Sequence, residues 1–269
     1  MLRLPAVAGS FYPSNAAELS EQIARYTETE NKSAKKSVRA CLVPHAGYVY
    51  SGPIVGAVLS GIKIPPRVVI LGVRHRPPGS PAAIISSGVW RTPLGDAEID
   101  EGLASRLLEA CPLLREDALA HSREHSLEVQ IPFLQVLEPQ CKFVPVALGH
   151  AHFETLVAVG EALGQVLVEE DEQVLLLTTS DLNHYEDDAT TRRKDRLAIA
   201  QLLKMDAQGL YDTCQSEDIS MCGLGPAVAM LTALHIMKAS RVELVGYATS
   251  ADRAGDPKAA VGYAGMTFA

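Results

Sequence analysis

The chain has 269 residues, 47% of them apolar and 21% charged, with a formal net charge of −8 and a pI of about 5.5. Such an acidic chain lacks the basic face of a nucleic-acid binder, and no apolar run approaches the roughly 20 residues of a membrane-spanning helix. The composition is that of a globular protein; without a charged-then-apolar leader, a soluble cytoplasmic location is expected.

Residues 1–12 read as irregular. Asn15 and Glu18 have capping-box spacing, opening a helix with Ala16, Leu19, Ile23 and Tyr26 on its buried stripe. The polar, lysine-rich run Glu28–Ser37 reads as a loop. Arg39–Val43 predicts a core strand running into Pro44-His45-Ala46-Gly47-Tyr48. A helix from about Ser51 follows, with Pro53 in its first turn. Arg67–Leu71 predicts a second strand, opening into Gly72–Pro78 with His75. Ala82–Ser86 reads as a short strand and Trp90–Glu98 as a loop around Pro93 and Gly95. Asp100 caps a helix to about Ala110, and His121–Glu128 leads into an apolar helix that Pro132 either kinks or starts.

Lys142–Leu148 predicts a strand and His152–Glu169 an amphipathic helix. Val174–Leu177 has the length and composition of a strand buried on both faces, and ends in Thr178, Thr179, Ser180, Asp181, Asn183 and His184. Helices are expected over about 188–205 and 206–215, and after Cys222-Gly223-Leu224-Gly225-Pro226 to about Lys238. Arg241–Ala248 and Ala259–Phe268 read as the last strands. The alternation predicts an α/β protein, one three-layer α/β/α domain over 1–269 with a mixed, largely parallel central sheet. Its antiparallel part is expected from the final strand pair.

In an open parallel sheet, ligands bind outside the carboxyl ends of the strands. His45, His75 and His184 each follow an apolar strand within a few residues. If those strands are parallel neighbours, the three imidazoles reach one rim. Neutral imidazole suits iron, copper, zinc and nickel. One loop histidine is more often a surface or hydrogen-bonded residue; the repetition at three strand ends is what points to a shared site. Asp181 adds a carboxylate to that rim.

The segment Glu124-His125-Ser126-Leu127-Glu128 forms a second constellation. On a helix start, Glu124 and Glu128 share a face and His125 points elsewhere. One carboxylate could orient a ligand histidine or act as base, or both could simply favour a helix N-terminus. The five cysteines, Cys41, Cys111, Cys141, Cys214 and Cys222, contain no CxxC and read as reduced, mostly buried thiols. Cys222 reads as an inert thiol rather than a pocket group, and His235 as a core histidine. There is no GxGxxG, P-loop or GxSxG motif.

Motifs spread along the chain resemble the Memo family, whose bacterial and archaeal members are called AmmeMemoRadiSam system protein B. They are Ala8-Gly9-Ser10-Phe11-Tyr12, Pro44-His45-Ala46-Gly47-Tyr48, Leu71-Gly72 with His75, Arg91-Thr92-Pro93-Leu94-Gly95, Glu124-His125-Ser126-Leu127-Glu128, Ser180-Asp181-Leu182-Asn183-His184, Cys222-Gly223 and Tyr247-Ala248. The resemblance implies a fold like the class III extradiol, LigB-like dioxygenases, with His45, His75 and His184 gathered in a pocket. By that analogy His45 and His75 would be the pair that holds a divalent metal, Fe(II) first, with copper or zinc as alternatives. His184 would be a third ligand or the acid/base group, and Asp181, Glu124 and His125 would supply the other catalytic contacts.

Two features depart from the family. No glutamate ligand is identifiable at a matching position. The loop Thr249-Ser250-Ala251-Asp252-Arg253 lacks a cysteine that some members carry, so copper or thiol redox chemistry based on it does not transfer. The leading expectation is an oxidoreductase dependent on non-haem iron or copper, acting on a small molecule. The alternatives are a non-catalytic pocket for a peptide or protein, working with AMMECR-type and radical-SAM partners, and a metal-dependent hydrolase.

Overall fold

The apolar runs fold as strands with two buried faces. The structure, a computed structural model, describes residues 1–28, 34–253 and 256–269. Chain order begins with β1 (Leu2–Arg3), α1 (Ala16–Thr27), β2 (Ala40–Val43), α2 (Tyr48–Ser60), β3 (Arg67–Val73), β4 (Ala82–Ile84), β5 (Val89–Thr92), β6 (Gly95–Glu98) and α3 (Glu101–Ala110). It continues with β7 (Arg115–Glu116), α4 (Ala118–His121), a 3-10 turn at Glu128–Gln130, α5 (Ile131–Leu137), β8 (Lys142–Leu148), α6 (Phe153–Glu169) and β9 (Val174–Thr179). Then come β10 (His184–Glu186), α7 (Asp188–Leu203), α8 (Ala207–Ser216), α9 (Leu224–Ile236), β11 (Val242–Thr249), a 3-10 turn at Ser250–Asp252 and β12 (Ala260–Phe268).

The main sheet has the order β10-β12-β2-β9-β3-β8-β4-β7, with β11 also on β12. Its centre, β2-β9-β3-β8, is parallel, in a register that sets Cys41 beside Leu177 and Val69 beside Leu176. β12 runs antiparallel to β2, β10 and β11, as expected of the last strands, and β4 is antiparallel to β8 at the opposite side. The sheet is therefore mixed and largely parallel at its core.

Alternation along each central strand divides the core in two. Ala40, Leu42, Val69, Leu71, Val174 and Leu176 face the layer of α3, α6, α7, α8 and α9. Cys41, Val43, Val68, Ile70, Leu175 and Leu177 face α1, α2 and α5. Strands covered on both faces need no polar alternation, which explains their continuous apolar sequences. On the first side, α6 and α9 pack closely through small residues. A Cβ at Gly160 would lie 2.4 Å from the Ala229 carbonyl oxygen, so the backbones approach where no side chain fits.

Two local expectations are corrected. The expected loop at Trp90–Glu98 is instead the hairpin β5–β6, turned at Gly95 with φ +117, and β1 pairs with β5 to make a small separate sheet. The Arg3 guanidinium lies 4.0 Å from the centroid of the buried Trp90 ring, a cation–π contact within this sheet. Helix α2 starts at Tyr48, not Ser51, because the buried Tyr48 is anchored by a hydrogen bond from its hydroxyl to the Val129 carbonyl. Of the two readings of Pro132, the start of a helix is the one found: it lies in the first turn of α5. Among the described residues, no helix is long and apolar enough to cross a membrane.

Candidate metal centre

β2 and β9 are parallel neighbours, so the segments that leave their carboxyl ends run side by side. His45 and Asp181 each lie two residues beyond their strand. The backbone N–H of His45 donates to Asp181 Oδ1 at 2.8 Å, and Ser180 N–H donates to the Val43 carbonyl at 2.9 Å. His45 Nδ1 lies 3.0 Å from Thr179 Oγ1, which leaves Nε2 to face the interior of the rim. The side chain is buried, only 1% exposed. Burial, and then the neighbouring imidazoles of His125, His75 and His184, hold its pKa well below the ordinary value, so it stays neutral. Burial raises the pKa of Asp181, against the opposing pull of the His45 N–H.

His75 leaves β3, the other neighbour of β9, and is fixed by the loop that follows α4. Glu124 Oε2 accepts from His75 N–H at 2.7 Å, while Oε1 meets His75 Nδ1 at 2.9 Å and accepts from Ser126 N–H at 2.8 Å. Ser126 in turn accepts from Val73 N–H and donates to the Val73 carbonyl, like an extra strand residue. Gly72 permits this docking: a Cβ there would meet Leu127 at 2.7 Å and Ser126 Oγ at 2.9 Å. Burial opposes ionisation of Glu124, but the His75 hydrogen bond and charge outweigh it and hold the carboxylate at about 2. A carboxylate on Nδ1 sets the tautomer that leaves Nε2 free to ligate.

The same loop delivers His125. The helix start expected for His121–Glu128 is overturned: α4 ends at His121 and regular structure resumes at Glu128. Docking through Ser126 holds the segment irregular, so Glu124 and Glu128 share no helix face. His125 points into the site instead of away from it. Its ring stacks on His75 with centroids 4.6 Å apart, and both rings meet His45 edge-on at 5.2 and 5.5 Å. Donor atoms of His45, His75 and His125 lie within 4.8 Å of one another, a group that could hold a metal ion. Burial lowers the His125 pKa to about 4, so this imidazole is also neutral at pH 7.

Glu128 faces the N-terminal segment. Its carboxylate accepts from Arg3 Nη1, Tyr12 Oη and the backbone N–H groups of Ala6 and Val7, at 2.7–3.0 Å. That network holds Phe11 with its ring centroid 4.8 Å from that of His125, forming a wall of the site.

His184 stands beside the three-imidazole group rather than in it. Beyond Asp181 the chain turns against β12 through hydrogen bonds between Leu182 N–H and Gly262 and between Gly262 N–H and Asn183. His184 then begins β10, with Nδ1 2.9 Å from the Ser220 carbonyl oxygen. The strand-end rule located its strand, but the four residues between Thr179 and His184 carry it outward. Cys222, by contrast, is part of the site: its Sγ lies 3.2 Å from His45 Nε2 and accepts from Asp181 N–H at 3.3 Å. Burial, reinforced by Asp181, raises its thiol pKa. Its hints in the sequence are the Cys222-Gly223 motif and its position in the turn before a buried helix.

A family model described as "Memo-like protein" matches residues 3–267. A MEMO1 family protein of Methanopyrus kandleri is 39% identical over 280 residues, spanning 100% of this chain and 99% of its own length. One from Archaeoglobus fulgidus is 40% identical over 269 residues, spanning 99% of each chain. Among solved structures, uncharacterized protein JW3007 from Escherichia coli K12 matches with a TM-score of 0.55 and 12% identity, over 86% of this chain and 99% of that one. That likeness is one of fold alone.

Proposed function

This chain belongs to the Memo-like family, and from that premise we propose that it is a metal-dependent oxidoreductase acting on a small organic molecule. The observation that carries this is the convergence of the three imidazole donors of His45, His75 and His125 within 4.8 Å. Two of the imidazoles are held neutral by burial, the form a metal requires. Thr179 and Glu124 occupy the Nδ1 positions of His45 and His75, which leaves their Nε2 atoms for an ion; that of His45 lies 3.2 Å from Cys222 Sγ. Nitrogen donors with a thiol beside them suit a first-row transition metal better than magnesium or calcium. Fe(II) there would supply one-electron chemistry with oxygen.

The chain's own residues divide the remaining work. His45, His75 and His125 would hold the ion. Cys222 Sγ, 3.2 Å from His45 Nε2, would stand beside it. Asp181 positions His45 through the backbone N–H, and its raised pKa suits it to hold a proton in the buried site. His184 stands outside the ligand group, with Nδ1 on the Ser220 carbonyl. Phe11 screens one side from water.

Elemental analysis of protein loaded anaerobically with Fe(II) tests this. Near-stoichiometric iron is expected in the wild type and in His184→Ala, and a loss of at least about tenfold in His45→Ala, His75→Ala and His125→Ala. A wild type that takes up no metal removes the proposal. The all-imidazole donor set also favours a second reading, a zinc hydrolase. Retention of zinc over iron from an equimolar mixture, with turnover in the absence of oxygen, would select it.

A further inference from the structure

A cavity of about 350 Å³ opens beside the metal centre. His75 and Cys222 form part of its wall, so it communicates with the histidine group. Leu156 of α6, Tyr211 of α8 and the buried Ile219 and Met221 line its apolar side. The volume is at the lower end of the roughly 300–1,000 Å³ of ligand sites, which suits a small molecule and not a peptide.

The wall also carries Arg74, next in sequence to His75 and half-buried. Its guanidinium rests against bare backbone: a Cβ at Gly149 would lie 2.9 Å from Nη2 and 3.0 Å from Nε. Nε is buried without a hydrogen-bond partner, and Nη1 has a long 3.3 Å contact with the Arg76 carbonyl. Among the described residues that wall the cavity there is no aspartate or glutamate. A guanidinium Nε buried without a partner is a costly arrangement that a bound anion would relieve. The first turn of the 13-residue helix α9 also lines the cavity, and its N-terminal dipole favours negative charge there.

We propose that this cavity binds the carboxylate of a small organic acid with an apolar body, and that Arg74 is its anchor. A single planar guanidinium matches a carboxylate bidentately, whereas a phosphate usually gathers further cations or a nest of backbone N–H groups. Anchored at Arg74, the acid lies along the apolar side with its other end towards His75 and Cys222. The inference deepens the metal-centre reading and rests on it for what becomes of the acid; binding of the carboxylate requires no metal.

Calorimetric titration with 3-phenylpropionate, its neutral analogue 3-phenylpropionamide, and phenyl phosphate tests the assignment on the whole protein. The acid is expected to bind at least about tenfold more tightly than the amide or the phosphate, the ratio a charged hydrogen-bond pair supplies. Arg74→Gln should abolish the preference for acid over amide, and Arg74→Lys, which keeps the charge but not the fork, should reduce it. His45→Ala, which removes a metal ligand, should keep it. Failure of the metal reading would thus leave acid binding in His45→Ala intact. Undetectable binding of the acid, equal binding of acid and amide, a preference for phenyl phosphate, or an unchanged preference in both Arg74 variants would each overturn the proposal.

Discussion

Glu128 is fully buried, and its carboxylate has donors from Arg3, Tyr12, Ala6 and Val7. Removing it strands the Arg3 guanidinium, itself 6% exposed. Breaking a buried pair from one side typically costs about 3–5 kcal/mol. Glu128→Ala should therefore lose stability of that order in urea unfolding; a loss below about 1 kcal/mol would show that water replaces the carboxylate.

Asp195 makes the opposite kind of prediction. Burial raises its pKa to about 6, although Asn183 N–H and Tyr247 Oη both donate to it. Between the unfolded value of about 3.9 and the folded value of about 6, the native state binds more protons than the unfolded chain. Stability from this group is thus full below about pH 4 and falls as pH rises through 6, by about 3 kcal/mol in all. Asn can accept from Asn183 and donate to Tyr247. The stability of the wild type relative to Asp195→Asn should therefore fall by that amount between pH 4 and pH 7, and a flat difference would contradict the assignment.

Legibility at this scale followed chain geometry. His45 and His75 were readable because each lies within two residues of a strand whose composition is unmistakable. His125 lies in a segment with no period of its own, shaped by the docking of Ser126 and Glu124 on β3, so no local pattern could aim it. Cys222 was misread for the same reason: a buried thiol looks alike in sequence whether its neighbour is leucine or imidazole.

Among the elements, the helix pair α6–α9 sets the closest constraint. Gly160→Ala would place a methyl 2.4 Å from the Ala229 carbonyl oxygen, where backbone must move. A cost of about 1–3 kcal/mol is expected, read as a lower urea midpoint with an unchanged slope. The central strands and most helices were legible because their apolar periods and caps agree; Asp100, for example, accepts from Leu103 N–H as its position before α3 suggests. The β5–β6 hairpin was not, since Pro93 and Gly95 read as a loop and its pairing depends on β1, far away in sequence. β10 was missed because its three residues become a strand only against β12.

For the whole molecule, a bound metal couples to folding. A ligand that binds only the native state at 100 times its Kd adds about 2.7 kcal/mol. In a chain of this size that corresponds to a rise in Tm of about 5 °C. Fe(II) should raise the Tm of the wild type by about that much under anaerobic conditions and leave His45→Ala unchanged. An equal rise in both would mean that the ion binds elsewhere.

β2, the strand that aims His45, lies between β9 and β12. Both of its hydrogen-bonding neighbours come much later in the chain, β12 at Ala260–Phe268. During synthesis, β2 therefore leaves the ribosome long before it has an edge to join. His45, His75 and His125 emerge on segments that are not yet held together, and the sheet that gathers them closes only after β12 has been made. An ion met by the growing chain before β9 joins β2 and β3 would find only scattered imidazoles.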